Sequence, residues 1–274
     1  MRKQLATYRR FLFAPIVAIS AAVGCGIKPE PVVSDAASVA EPADNAPESP
    51  VVEEEIDREG QLLRHTVFFS FKEESSPEDI QDVVDEFAGL PTKINTIVDF
   101  QWGTNNSPEG KNDGLTHCFV LSFESEADRD AYIPHPAHSG EFADVLRPHM
   151  KDVFVIDYWA RPEGAAPDKP LQHAVFLKFK DDADSAEIQK VEKAFAALPS
   201  KIDQIKAFEW GTNNSPETND DGFTHCFMLS FDSEEGRKAY LPHPDHEAFG
   251  EILSPVLDKV RVLDFWDQQS DPSH

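Results

Sequence analysis

Two short stretches concentrate the side chains able to move protons: "AYIPHPAH" at 131–138 and "AYLPHPDH" at 239–246. An imidazole near neutral pKa is a ready general acid–base once another group fixes its tautomer. His138 and His246, one helical turn beyond His135 and His243, are the candidates for that role. Asp157 lies in an otherwise apolar strand, "VFVIDYW", and Asp264 is its counterpart in the second stretch of the chain. A buried carboxylate without a partner is costly. The expected partners are His138 for Asp157 and His246 for Asp264. The hydroxyls of Tyr132 and Tyr240 could then donate to an oxyanion developing on a substrate. His135 precedes Pro136, and that arrangement reads as a helix cap or turn that aims its neighbours.

His65, His117, His173 and His225 add to this set. Each stands in a strand among apolar neighbours, where a histidine is commonly a satisfied core residue. Their clustering with a tyrosine and an acid in each half of the chain makes them candidates for lining a ligand pocket. The His-Pro-x-His spacing resembles a metal pair, but there is no H-E-x-x-H motif and no fuller ligand set. No residue is marked as a haem ligand over its neighbours. No metal and no cofactor is therefore expected, with a metal- or haem-binding barrel kept as an alternative.

The elements that must position these residues come in two copies. His65 and His173, Trp102 and Trp210, His117 and His225, and Tyr132 and Tyr240 are each 108 residues apart. After His138 the spacing drops to 107, so that Asp157 matches Asp264. "WGTNNSPE" and "THCF" recur unchanged. Each copy reads as strand, helix, strand, strand, helix, strand. In the first copy "HTVFFSFK" (65–72) is a β-rich strand. "SPEDIQDVVDEFAGL" is a helix with Ser76 as N-cap, Pro77 at its first position and Asp79 three residues after the cap. Ile80, Val83, Val84, Phe87 and Leu90 form its apolar stripe. "INTIVDFQWG" and "LTHCFVLSF" are the middle strands, and the polar loop between them reads as a long hairpin connection that could also act as a lid. The second helical region breaks at Pro134, and "KDVFVIDYW" is the last strand.

This order is that of a ferredoxin-like α+β unit, an antiparallel sheet with helices on one face. Neither face of 65–72 or 116–123 looks solvated. One face must meet the helices and the other must meet something else, for which the second copy is the candidate and another molecule's units are the alternative. Two sheets face to face would form an intrachain, pseudo-dimeric α/β barrel with a chamber inside. Cys118 and Cys226 occupy equivalent central strands, far apart in such a barrel unless they lie near its pseudo-twofold axis, and are expected as free buried thiols.

The chain before the repeats is different. "MRKQLATYRR" carries only positive charges, and "FLFAPIVAISAAVG" follows without any charge. The run is short for a membrane span and reads as the core of a signal peptide at 1–24. It ends in "AVGC", which resembles a bacterial lipobox apart from Ala22 where leucine is usual. The resemblance implies cleavage before Cys25 and lipidation of its thiol. Residues 25–62 are an acidic Pro/Ala-rich tether that cannot bury enough apolar surface to offset its ordering entropy. The expected layout is then repeat 1 at 63–160, a linker at 161–170, repeat 2 at 171–267 and a tail at 268–274. The implied location is the bacterial cell envelope, lipid-anchored and facing the periplasm or exterior, or secretion if the lipid is absent. With a net charge of −25 over 274 residues, the chain has no basic patch to displace counterions from a phosphate backbone, which excludes nucleic acid as a partner. The expected partners are an unknown small molecule and the membrane, for a monomer.

The repeated motifs point to one family. "H-x-V" in the first strand, "WG" ending the second, "G-[LF]-T-H" opening the third, "Y-x-x-H-P-x-H" after the second helix and "D-[YF]" in the last strand together resemble the stress-responsive dimeric α/β-barrel family. The resemblance spans both repeats and implies ferredoxin-like units paired into a barrel, here within one chain. In the plant polyketide cyclases of that family, ring closure by aldol chemistry needs no cofactor. The resemblance assigns the catalytic tyrosine to Tyr132 and Tyr240, the catalytic histidine to His138 and His246, the supporting acid to Asp157 and Asp264, and pocket histidines to His65, His117, His173 and His225. The expected function is small-ligand binding in the barrel with cofactor-free acid–base chemistry. The alternative is a non-catalytic binding or stress-related structural module.

Overall fold

The computed structural model describes residues 58–268. The expected signal peptide, Cys25, the tether up to residue 57 and the tail from residue 269 lie outside the described residues. The first repeat runs β1 (Leu62–Phe71), α1 (Pro77–Ala88), a single-turn α2 (Leu90–Lys93), β2 (Asp99–Thr104), β3 (His117–Phe123), α3 (Glu126–Tyr132), a π-helical segment (Pro136–Phe142), α4 (Ala143–Leu146) and β4 (Met150–Ala160). Its four strands form an antiparallel sheet in the order β2-β3-β1-β4. The linker contributes a two-residue strand, β5 (Glu163–Gly164). The second repeat follows with β6 (Leu171–Phe179), α5 (Ser185–Ala196), a 3-10 turn (Leu198–Ser200), β7 (Ala207–Thr212), β8 (His225–Phe231), α6 (Glu234–Tyr240), α7 (Pro244–Leu253) and β9 (Leu257–Trp266). Its sheet order is β5-β7-β8-β6-β9. Both sheets have the ferredoxin-like arrangement expected from the sequence.

Local chemistry sets the helix starts. Ser76 caps α1 by accepting from the Asp79 amide while Asp79 reaches back to the Ser76 amide, a capping box worth about 1 kcal/mol. His135 and His243 are N-caps whose Nδ1 atoms accept from the amides of Ala137 and Asp245, with proline at the next position in each. Beyond the cap the repeats diverge. His246 and Phe249 sit on a regular α-helix, three residues apart. His138 and Phe142 are four apart, and the extra residue is taken up as the π-helical turn. That is how a helix absorbs a one-residue insertion without breaking, and it is the physical form of the drop in repeat spacing from 108 to 107.

Strand alternation divides the apolar residues between two environments. Val67, Phe69, Phe119 and Val155 face the helices of the first repeat and pack with Val83, Phe87 and Phe142. The second repeat has the same arrangement around Val191, Phe195 and Phe249. The opposite faces meet each other. Phe68, Cys118, Phe154 and Tyr158 of the first sheet pack with Phe176, Cys226 and Phe265 of the second and with Phe223 from the loop before β8. The space between the sheets is therefore mostly packed core, filled by five phenylalanines and a tyrosine, and the expected chamber is reduced to a cavity of about 80 Å³ lined by Arg64, Gln101, Val120, Gln172, Glu209 and Met228. Cys118 and Cys226 are free thiols buried in this core.

Glycines close the barrel at its seams. A Cβ on Gly103 would lie 2.3 Å from the Trp266 carbonyl oxygen, and one on Gly211 would lie 2.7 Å from that of Trp159. Only glycine allows β2 to approach β9, and β7 to approach β4, this closely. The loops after these glycines then cross to the other repeat. The Asn214 amide donates to the Asp157 carbonyl (2.8 Å), and the Val155 amide donates to that of Asn219 (3.0 Å). The Asn106 amide donates to Asp264 O (2.8 Å), and the Val262 amide donates to Lys111 O (3.1 Å). Each loop so covers the edge of the other repeat's last strand, an edge that would otherwise stand open to pairing. The loop read from sequence as a hairpin connection is also an inter-repeat clasp.

Candidate active site

The register of the outer strand pair builds the site. His65 on β1 stands directly opposite Asp157 on β4, and His173 on β6 opposite Asp264 on β9. Each histidine donates from Nδ1 to the aspartate Oδ1 at 2.7 Å. All four residues are at most 1% exposed. The second carboxylate oxygen accepts from an arginine on the helix above: Arg129 Nη1 at 3.2 Å for Asp157, and Arg237 Nη1 at 2.7 Å for Asp264. The buried acids are thus paired and hydrogen-bonded on both sides, as burial demands. Burial works against the charge on His65 and His173, but the facing carboxylates outweigh it and hold both pKa values above the ordinary histidine value.

This corrects one expectation. Asp157 and Asp264 do not orient His138 and His246. Strand register places each acid against the first-strand histidine, and the helical histidine is held by backbone instead. His138 Nδ1 donates to the Ile133 carbonyl at 2.9 Å, and His246 Nδ1 to that of Leu241 at 2.9 Å. With Nδ1 donating, Nε2 is left as the lone-pair nitrogen. Burial lowers the pKa of both rings, favouring that neutral form. Each ring lies against its tyrosine, with centroids 4.3 Å apart in both repeats. The hydroxyls of Tyr132 and Tyr240 are buried and have no hydrogen-bond partner among the described residues. A buried phenol left unpaired is unusual and marks a place where an oxygen of a bound molecule would be accepted or donated to. Burial, reinforced by nearby carboxylates, raises both phenol pKa values, so each stays a donor.

These residues line cavities between each sheet and its own helices. The first-repeat cavity, of about 100 Å³, is bounded by His65, Tyr132, His138, Phe69, Phe142 and Leu146. The second, of about 480 Å³, is bounded by His173, Tyr240, His246, Phe195, Phe249 and Leu253. Each is completed by the loop from the opposite repeat. Glu217 and Asn219 enter the first cavity, and Glu109 and Lys111 the second. Glu217 Oε2 is 3.8 Å from His65 Nε2, and Glu109 Oε1 is 4.0 Å from His173 Nε2.

Two predicted pocket residues are not brought to the site. His117 and His225 lie on the helix-facing side of their sheets, but four residues along the strand from the level of His65 and His173, about 13 Å away. His117 packs edge-on against Phe71, and burial lowers its pKa to about 4. His225 bonds Glu192 on α5 at 3.0 Å. Sequence reasoning also missed Arg129, Arg237, Glu109 and Glu217. All four were visible as identities between repeats: an arginine three residues before each tyrosine, and the glutamate ending "WGTNNSPE". Among the described residues no cluster of three or more metal-ligating side chains is arranged to hold an ion.

Fold and site together define a paired ferredoxin-like α/β barrel with a His/Tyr/Asp cluster under the helices of each half. The chain belongs to the family described as the stress responsive A/B barrel domain, which matches it twice, over residues 63–160 and 171–267. It is 38% identical over 96 residues to the stress-response A/B barrel domain-containing protein HS1 of Arabidopsis thaliana, covering 35% of this chain and 88% of that protein. It is 28% identical over 95 residues to olivetolic acid cyclase of Cannabis sativa, covering 35% of this chain and 94% of the cyclase. Both alignments span about one repeat. A crystal structure of an anthrone oxidase-like protein aligns over 77% of this chain and 93% of its own, with a TM-score of 0.56 and 10% identity, a likeness of fold.

Proposed function

We propose that the chain binds a small carbonyl-containing ligand beneath the helices and carries out cofactor-free proton transfer there. The observation that carries this reading is the division of labour between the two histidines of each site. The helical histidine, with Nδ1 donating to backbone and Nε2 as the lone-pair nitrogen, is the base; the strand histidine, bonded to its aspartate, is drawn toward its charged form. In the second repeat His246 Nε2 would take a proton from the carbon beside the carbonyl. The enolate oxygen would accept from the Tyr240 hydroxyl, with the His173 imidazolium balancing its charge. The match to a cyclase supports carbon–carbon bond formation of the polyketide-cyclase type as the step that follows. Tyr132, His138 and Asp157 stand at the matching positions of the first repeat, around the smaller cavity. Asp157 and Asp264 act by fixing His65 and His173.

The test is a nitrogen-15 NMR titration of the histidine rings. His138 and His246 should remain neutral Nδ1–H tautomers at pH 7, and His65 and His173 should remain doubly protonated there. Asp157→Asn should neutralise His65 and leave His246 unmoved. Neutral His65 and His173 in the parent protein, or Nε2–H tautomers at His138 and His246, would remove the basis of the mechanism.

We also infer an envelope location, from the charged and apolar leader and "AVGC" before the tether. Cys25 would carry the lipid and the barrel would act as an intrachain monomer at the membrane surface. Cys25→Ser should move the protein from the membrane to the soluble fraction; retention in the membrane would refute the anchor.

A further inference from the structure

The two cavities differ in volume, and the cause lies in three places. Phe69 stands where the second repeat has Leu177, and its ring packs on Phe87 and Phe142. The π-helical insertion lays Phe142 flat on Phe87, with centroids 4.7 Å apart at 23°, whereas Phe249 meets Phe195 edge-on at 70°. The loops that cross over also differ. Glu109 is followed two residues later by Lys111, and Glu217 by Asn219. Cavities that take small organic ligands run to roughly 300–1,000 Å³. The second cavity, at about 480 Å³, is in that range, and the first, at about 100 Å³, falls well short of it.

The polar ends differ in charge as well. In the second site Asp264 and Glu109 face Arg237, Lys111 and His173. In the first, Asp157 and Glu217 face Arg129 and His65, with Asn219 in the place of Lys111 and so one cation fewer. Lys111 and Glu247, both exposed, border the second cavity, and Lys111 Nζ donates to Glu109 Oε2 at 2.8 Å. Away from this end the second cavity is walled by Val175, Phe195, Phe249, Leu253, Val260 and Val262. Its polar end offers the unpartnered Tyr240 hydroxyl and Lys111.

We propose that the second-repeat cavity alone takes a ligand, one per chain, and that the ligand is an amphipathic carboxylate whose apolar tail lies under α7 and whose head is met by Tyr240 and by Lys111 from the first repeat. This deepens the reading of the pocket as a small-ligand site and rests on it. The two repeats are then unequal partners. The first supplies the selectivity residue for the second's cavity, and its own cavity is closed by Phe69 and the π-helical turn.

Decanoate and its neutral counterpart decanol are the probes, with binding to the full chain followed by isothermal titration calorimetry and native mass spectrometry. Decanoate should bind at one molecule per chain. Gly250 lines the cavity on α7 and has open space around its Cβ position. Gly250→Leu should therefore fill the cavity without disturbing the helix and weaken binding at least tenfold. Ala143→Leu, the matching change in the first repeat, should leave binding unchanged. Lys111→Asn, which copies Asn219, should weaken decanoate about fivefold to tenfold and leave decanol unaffected. Circular dichroism and cooperative unfolding confirm that each variant folds. Two molecules per chain, loss of binding in Ala143→Leu, unaltered binding in Gly250→Leu, equal loss of both probes in Lys111→Asn, or no binding of decanoate would each overturn the proposal. The histidine titration is independent of all these outcomes, so the acid–base reading can stand where this one falls.

Discussion

Where the sheets face one another, Arg64 of β1 meets Glu209 of β7 across the two repeats. The contact is bidentate, Nε to Oε1 at 2.9 Å and Nη2 to Oε2 at 2.8 Å, with Tyr158 Oη donating to Glu209 at 3.0 Å and Arg64 Nη1 bonded to Ser122 Oγ. Arg64 and Glu209 are 8% and 9% exposed. Burial opposes the Arg64 cation, but Glu209 outweighs it and holds the guanidinium pKa up. The pseudo-twofold places Gln172 and Gln101 at the equivalent positions. There Gln172 Nε2 donates to Gln101 Oε1 at 3.0 Å, and Ser230 Oγ donates to Gln172 at 2.8 Å. One molecule so holds a charged and a neutral solution to the same packing problem. Removing one member of a buried ion pair leaves the other uncompensated and costs about 3–5 kcal/mol. Arg64 has Asp99 at 3.6 Å as a half-exposed fallback, so Glu209→Gln should fall at the lower end, about 3 kcal/mol. Arg64→Gln leaves the Glu209 carboxylate with Tyr158 alone and should cost about 4 kcal/mol. The double variant recreates the Ser–Gln–Gln arrangement of the other side and should lie within about 1–2 kcal/mol of the parent, as neutral replacements of buried pairs do. Urea unfolding of all four proteins, compared at constant slope, gives the coupling directly. If the double variant loses the sum of the two singles, the pair is not acting as a coupled buried unit and the reasoning is wrong.

Two further outcomes follow from the seams and the histidines. Gly103→Ala should destabilise the fold by more than about 3 kcal/mol, because its Cβ would sit 2.3 Å from a backbone oxygen that cannot move without opening the β2–β9 seam; an unfolding midpoint like the parent's would show the seam to be loose. Burial lowers the pKa of His117 to about 4, and those of His138, His225 and His246 in the same direction. Their neutral forms are favoured in the fold, so their contribution is complete above the unfolded value near 6.5 and is lost as pH falls from there through their folded values, about 4 for His117. His65 and His173, raised, work the other way and lose their contribution as pH rises through their folded values. Replacing His117 by Asn should flatten the fall in urea midpoint between pH 6.5 and 4.5; an unchanged slope would show that its burial is not felt.

How far the sequence carries the argument depends on the range of the interaction. The repeats, the helix caps and the strand order rest on contacts a few residues apart, and Ser76, Asp79 and His135 behave as their spacing indicates. The apolar character of both strand faces correctly implied a sheet-to-sheet contact. It said nothing of how large the side chains meeting there would be in three dimensions, and so could not show that Phe68, Phe154, Phe176 and Phe223 fill most of the chamber. The partner of Asp157 was mistaken for a related reason. Register between β1 and β4 decides it, and a one-residue irregularity between Ser70 and Phe71 separates the level of His65 from anything countable along the chain. The crossing loops were hardest. "WGTNNSPE" is identical in both copies, and identity shows that Glu109 and Glu217 do the same thing without showing that each does it in the other repeat's cavity.

That crossing gives the fusion of two units its physical meaning. In a dimer of identical chains every substitution appears twice, once on each side of the axis. Arg64 could then face Glu209 only if both sites carried both charges, and Phe69 could close one cavity only by closing both. A single chain is free of this constraint. Here it has used that freedom at the sheet interface, where an Arg–Glu pair stands opposite a Gln–Gln pair, and at the helices, where a π-turn stands opposite an α-helix. The two differences are independent, since one lies between the sheets and the other outside them. Neither cavity can be cut off from the opposite repeat, because Glu109 and Glu217 reach across. A variant confined to one loop should therefore change the chemistry of the other half, and Lys111, placed in the first repeat and lining the second cavity, is the residue in which that dependence is most exposed to experiment.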